Sequence, residues 1–355
     1  VARGVDPRQG TLHGVPTVMP GYAAEALGVI DLDLAWSQHG WQVTRHASGL
    51  RHHPPTIAPH PELAELTAPA ITATRAALDV GVGRTPTGFH NYFEMLGTGT
   101  STALIGAAMC AVITKRAAGT PLSDLPVIAS VSPMALGGRG GTSNYVDVPQ
   151  GVITERHLSM MCPYPNAVWA AVLTGAQVRA WAERAAVFFS PIPTGLSALV
   201  NPNAPSFNFD ALYGLNTVVD PFAPVAYAVD GRPIAETATR IIAQSYQGKP
   251  IDASDRFLVA MTSYRGAGGG AFPGVGCETI RTEVEVKDAL RQLIRNGGPN
   301  EASPEPAWHF STGHKAPVLI ETSPRATQHL DEIAKFNPIV AGKNSAGFLQ
   351  LEVSI

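Results

Sequence analysis

Charge is scarce in this 355-residue chain. Asp, Glu, Lys and Arg make up 15%, against about 25% in ordinary globular domains. Apolar residues make up 45%. That balance excludes an intrinsically disordered chain, which would be rich in charge and poor in apolar side chains. The net charge of −3 provides no basic footprint for a nucleic acid polymer. Cysteine is scarcer still: Cys110, Cys162 and Cys277 are the three. Their odd number and the lack of CxxC spacing exclude a disulfide framework. One bridge with a spare thiol fits, and three free thiols fit better, because unpaired cysteine is often a buried apolar residue. Long apolar runs are also lacking. The longest weakly polar stretch, Ala103–Thr114, falls short of the ~18 residues of a membrane span. There is no GxSxG elbow, no HExxH and no complete Walker A sequence.

Glycine (35) and proline (30) are abundant instead, which points to a loop-rich globular protein. At ~100–200 residues per domain, the length suits two domains, or one with part of another. Leu27–Leu34 alternates as a half-buried strand, with Gln38-His39-Gly40 as a hairpin turn and Trp41–Arg45 as its return. Arg51–Pro61, with four prolines and three histidines, reads as a linker. Pro61 then opens a helix with Leu63, Leu66, Ile71, Thr74 and Leu78 at helical spacing. A second helix runs over about 101–116, N-capped by Thr100 or Ser101. Val127–Val131 and Val168–Leu173 read as strands. Thr174-x-x-Gln177 is a capping-box pattern, followed by an apolar helix face of Val178, Trp181, Ala182, Ala185 and Phe189. Thr239–Tyr246 and Arg256–Thr262 read as antiparallel strands around a Gly248-Lys249-Pro250 turn. Val286, Ala289, Leu290 and Leu293 mark a last helix, and Phe348–Val353 a last strand. Irregular alternation of the two element types favours an α+β fold with a mixed sheet and flanking helices.

Few residues here announce chemistry. His52, His53 and His60 sit in the proline-rich linker, where rigid convergence on a metal is not expected. Gly313-His314-Lys315-Ala316 lacks the second histidine of a G-H-x-H motif. Two glycine-rich loops, Gly137–Gly141 and Gly266–Gly276, offer backbone N–H groups to an anion or are simply wide turns. Two tyrosines shift that balance. Tyr164 stands between prolines at a strand entry, and Tyr264 at a strand exit entering the second glycine loop. Such rings either sandwich a nucleobase, at ~1–3 kcal/mol per stacked base, or cap a core. Asn166 suits a base edge. Arg139 and Arg265 suit a phosphate.

Several of these segments carry a resemblance. They include Gly10–Leu34, Trp41–Thr44, Gly137-Gly138-Arg139 with Asn144-Tyr145-Val146, Tyr164-Pro165-Asn166, Phe207–Asp210, Gly248–Asp252, Phe257–Gly270 and Phe336–Val353. Together they resemble bacterial 2′,3′-cyclic-nucleotide 2′-phosphodiesterase/3′-nucleotidases of the 5′-nucleotidase superfamily, over nearly the whole chain. The resemblance implies a calcineurin-like metallophosphatase domain holding two divalent metals, followed by a C-terminal domain that holds the base between two aromatic rings. Tyr164 and Tyr264 match those rings. Arg265, Gly266, Gly268, Gly269 and Gly270 match the segment lining the nucleoside site, with Asn166 and Arg139 beside it.

The family's D-x-H, G-N-H and G-H-x-H metal motifs do not occur in this sequence. The resemblance therefore implies that residues 1–50 are the end of the metallophosphatase domain and 51–80 a linker and connecting helix. Residues 81–355 would be the nucleoside-binding domain. On this view the chain holds no catalytic residue and no metal, the two metals belong to a preceding domain, and the fragment alone is inactive. The expected partners are 2′,3′-cyclic nucleotides, 3′-nucleotides and the chain's own catalytic domain, with no membrane, in the periplasm. The alternatives are a 5′-nucleotidase or UDP-sugar hydrolase, whose members more often carry Phe at the two ring positions, and a non-catalytic nucleoside-binding module.

Overall fold

A computed structural model describes residues 4–21, 24, 26–52, 58–192, 195–235, 239–276, 279–298, 306–312 and 315–355. His53, Cys277, Gly313 and His314 lie outside them. The chain divides into two compact units, Val1–Thr74 and Arg75–Ile355.

In the first unit, strands β1 (Ala26–Ser37) and β2 (Gly40–His52) form a long antiparallel hairpin that turns at Gln38-His39. The strand is there, but its expected half-burial is not. Leu27, Leu32, Leu34, Trp36, Trp41 and Val43 are all exposed. A two-stranded ribbon gives each strand one neighbour and leaves most of both faces uncovered. Trp36 and Trp41, opposite each other in the register, meet edge to face at 5.3 Å. Helix α1 spans Pro61–Leu78, as its apolar spacing and initial proline predict, and has no buried residue.

The second unit is built on a mixed five-stranded sheet. Helix α2 (Thr100–Ala117) precedes strand β3 (Val127–Val131), and α3 (Glu155–Met161) precedes β4 (Ala167–Thr174). Helix α4 (Gly175–Ala185) and strand β5 (Ala211–Tyr213) follow. The set ends with β6 (Arg256–Thr262), the single-turn α5 (Ser263–Gly266), β7 (Thr279–Glu285) and α6 (Val286–Arg295). The sheet order is β5-β3-β6-β4-β7, and only the β3–β6 pair is parallel. β6 is central and apolar on both faces, as a strand covered twice must be. Leu258 and Ala260 face a core with Met109 and Ile113 of α2 and Leu290 of α6. Phe257, Val259 and Met261 face one with Trp181 of α4 and Phe189. Two four-stranded sheets and two two-stranded ones also belong to the unit, among the described residues. The mixed α+β architecture is the one expected.

Three details differ from expectation. Gly99, not Thr100 or Ser101, is the N-cap of α2; both hydroxyl residues fall inside the first turn. The strand Ile241–Tyr246 does not pair with β6. It pairs with Leu215–Val219 and with Lys249–Pro250 in a separate sheet, because β6 is apolar from Phe257 to Met261 and is drawn to the centre. The tight turn is therefore Gln247-Gly248, both at positive φ, as a two-residue hairpin requires. The capping box of α4 is formed as read: Thr174 Oγ1 accepts from Gln177 N, and Gln177 Oε1 accepts from Thr174 N. Cys110 and Cys162 are free thiols.

Candidate binding site

Strand direction brings the two tyrosine segments together. β3 and β6 are parallel, so their carboxyl ends, Val131 and Thr262, lie at one edge of the sheet. β4 runs the other way and begins there, with Val168 opposite Thr262. Tyr164-Pro165-Asn166 enters β4 at the edge where Ser263-Tyr264-Arg265 leaves β6. Ser263 ties them: its Oγ accepts from Ala167 N (3.1 Å) and donates to Asn166 Oδ1 (3.4 Å). Asn166 N donates to Tyr164 O (2.8 Å), closing a tight turn that presents the ring. Thr262 caps the single turn of α5 by accepting from Arg265 N.

The result is one cleft lined by Tyr164, Asn166, Tyr264 and Arg265 over an apolar floor that includes Met109 and Met161. It spans about 520 Å³, open mouth included, of which only about 40 Å³ is inner space for water-sized groups. A planar ligand therefore has to lie in the mouth. That is where the rings are: Tyr164 is 62% exposed and Tyr264 45%.

The glycines shape this cleft rather than open it to an anion. The N–H groups of Gly268 and Gly269 donate to Arg265 O and Tyr264 O. The start of the loop is thus wound onto its own helical turn, and these two N–H groups are committed. Gly269 lies against the Tyr264 ring, where a Cβ would stand 2.5 Å from ring carbons; a Cβ on Gly266 would stand 2.5 Å from the Trp169 ring. Gly270, at φ +75°, is crowded by Arg265 Nη1 and Asn208 Oδ1. An anion cradle from these N–H groups is not what the loop forms.

Arg265 also departs from expectation. Its guanidinium is buried and pairs with Asp210 through Nε–Oδ2 (3.0 Å) and Nη2–Oδ1 (2.7 Å). Nη2 also donates to Phe207 O and Nη1 to Gly269 O, both at 2.7 Å. The Phe272 ring lies 4.1 Å below. With its donors filled by protein acceptors, Arg265 holds the cleft together instead of meeting a phosphate. Arg139 is exposed on a short turn, Gly138–Gly140, and does not line the cleft. Gly137 beside it packs against Tyr145 and Phe348.

Sequence reasoning missed Asp210 as a site residue. Its Oδ2 also accepts from Ser130 Oγ (2.5 Å) and Trp181 Nε1 (3.0 Å), so one buried carboxylate joins β3, α4, β5 and the turn after β6. The available signal was an Asp closing the segment Phe207-Asn208-Phe209 directly before a strand.

Residues 83–276 match the family model described as 5′-nucleotidase, C-terminal domain. The chain belongs to that family. Its curated relatives include the trifunctional nucleotide phosphoesterase protein YfkN of Bacillus subtilis, 31% identical over 81% of this chain and 20% of that protein. The 2′,3′-cyclic-nucleotide 2′-phosphodiesterase/3′-nucleotidases of Haemophilus influenzae and Yersinia enterocolitica are 29% and 28% identical. They cover 98% and 99% of this chain, and 56% and 58% of their own lengths. The chain thus spans little more than half of the two phosphodiesterases. A solved Staphylococcus aureus structure, described as a candidate 5′-nucleotidase with α-ketoglutarate, shares the fold at TM-score 0.57 and 15% identity. It covers 84% of this chain and 53% of that one.

Proposed function

We propose that this 5′-nucleotidase C-terminal domain binds the base of 2′,3′-cyclic nucleotides and 3′-nucleotides between Tyr164 and Tyr264. It would be the substrate-binding part of a periplasmic metal-dependent hydrolase. The observation that carries the reading is the pair of exposed rings at the mouth of one cleft, with Asn166 of one segment linked to Ser263 of the other. Each ring supplies an apolar face, and stacking tolerates any base because every base has a π-face. The polar edge of Asn166 adds orientation.

The two metals of the hydrolase would activate a water and stabilise charge on phosphorus. This chain lacks the D-x-H, G-N-H and G-H-x-H motifs, so the metals fit a preceding domain and no hydrolytic step is assigned to residues here. The alternatives, a 5′-nucleotidase or UDP-sugar hydrolase and a plain nucleoside-binding module, predict other ligand preferences.

Calorimetric titration with adenosine, adenosine 3′-phosphate and adenosine 5′-phosphate tests the reading. Binding of adenosine and the 3′-phosphate is expected, weakened in Tyr264→Ala by ~1–3 kcal/mol. Unchanged affinity in both Tyr164→Ala and Tyr264→Ala would refute the sandwich. Metal-stimulated turnover of a 3′-nucleotide by this chain alone would refute the assignment of catalysis elsewhere.

A further inference from the structure

The larger unit contains a second cavity, of about 1880 Å³ with its open mouth included and about 660 Å³ of inner space, which shares no lining residue with the tyrosine cleft. Arg84, His90, Gly99 and Thr100 at the start of α2, Glu332 and Lys335 are in its wall. We propose that His90, His329 and Glu332 form a binding site for one divalent transition-metal ion of the zinc class, with a coordination position open to this cavity.

The geometry carries the proposal. His90 Nε2 lies 3.1 Å from Glu332 Oε1, and His329 Nδ1 lies 3.0 Å from the same oxygen. One ligand atom from each residue falls within 4.8 Å of the other two. Ligands at 2.0–2.1 Å around a tetrahedral ion stand roughly 3.3 Å apart, so two edges of the polyhedron are already formed. Two imidazoles and one carboxylate are a zinc-type donor set, with room for a fourth ligand. His329 stands at a kink of the Pro324–Phe336 segment, with φ −130°, and its side chain reaches Glu332 three residues on.

His90 is the rigid member. Its side chain is 6% exposed, the Tyr92 ring stacks on it at 4.5 Å, and Phe93 meets it edge-on. Its Nδ1 is buried and has no hydrogen-bond partner among the described residues. In the metal-free chain the Glu332 carboxylate beside Nε2 favours the Nε2–H form, so an incoming ion takes the place of that proton. The lack of an acceptor at Nδ1 removes outer-shell support worth about 10–100-fold in affinity. The site therefore binds more weakly than a structural zinc site.

The test is a titration of the EDTA-stripped chain with Co²⁺, read by its visible d–d absorption, then displaced with Zn²⁺. One equivalent of Co²⁺ is expected to give a low-symmetry band that Zn²⁺ abolishes. His329→Ala and Glu332→Gln, changes at partly exposed side chains, should each weaken binding by at least ~10-fold, with unchanged far-UV circular dichroism. His39→Ala, at the exposed hairpin tip, should leave it intact. Absence of any band up to millimolar Co²⁺ would overturn the proposal. So would unchanged affinity in both His329→Ala and Glu332→Gln.

Discussion

Arg265 and Asp210 form a two-point ion pair, Nε–Oδ2 and Nη2–Oδ1, with both side chains almost wholly out of water. The pair fastens the turn that carries Tyr264 to the start of β5. Removing one partner leaves a buried charge uncompensated, at a cost of ~3–5 kcal/mol. Asp210→Ala and Arg265→Ala should each lower the urea midpoint accordingly. Arg265→Lys should fail to rescue, because an ammonium cannot reproduce the two-point contact. The double variant Arg265→Met/Asp210→Leu should lose less than the sum of the single changes, since no lone charge remains. Additive losses would mean that the pair does not act as a unit.

Gly269 separates stability from binding. A Cβ there would stand 2.5 Å from the Tyr264 ring, and that half-exposed ring is free to swing away. Gly269→Ala is expected to leave the urea midpoint within about 1 kcal/mol of the parent. It should weaken adenosine binding by ~1–3 kcal/mol, the worth of one stacked ring. Calorimetry beside denaturation reads both. A large stability loss with intact binding would show that the backbone gives way instead of the ring.

Much of this architecture was legible in local sequence. The limits of α1, β3 and β6, and the capping box at Thr174, follow from spacing and end signals that act within a few residues. The two tyrosines could be singled out because each sits at the end of an apolar strand. What sequence could not give was burial and partnership. Arg265 reads as a free cation until Asp210, more than fifty residues earlier, comes to meet it. The leucines and tryptophans of β1 and β2 read as half-buried because alternation reports a pattern and not the presence of a second layer. His90 and Glu332, 242 residues apart, have no shared signal along the chain at all.

The thiols give a check on the core beneath the cleft. Burial pushes Cys110 and Cys162 up to about 12, so neither forms the reactive thiolate near pH 8. In a Cys277→Ser variant, the native chain should be inert to a disulfide exchange reagent at pH 8 over minutes. Unfolding in denaturant should release two reactive thiols. Fast labelling of Cys162 in the native state, located by mass spectrometry, would show that the floor of the cleft opens.

Glu94 gives the chain a pH dependence of unusual sign. It lies just before α2; Thr102 Oγ1 donates to its Oε1 (2.5 Å), while Oε2 is buried with no partner among the described residues. Burial disfavours the charged form and pushes the carboxyl from 4.5 up to about 7. The folded state thus holds this proton more tightly than the unfolded state does. The contribution is fully present below about pH 4.5 and is lost as pH rises through about 7. At ~1.4 kcal/mol per unit the loss is roughly 3 kcal/mol. Urea unfolding at pH 5 and pH 8 should show the parent losing more stability over this interval than Glu94→Gln, whose side chain carries no charge at either pH. Relative to the parent, the variant should gain at pH 8. Parallel pH profiles for the two proteins would mean that Glu94 is already ionised in the folded state at pH 5.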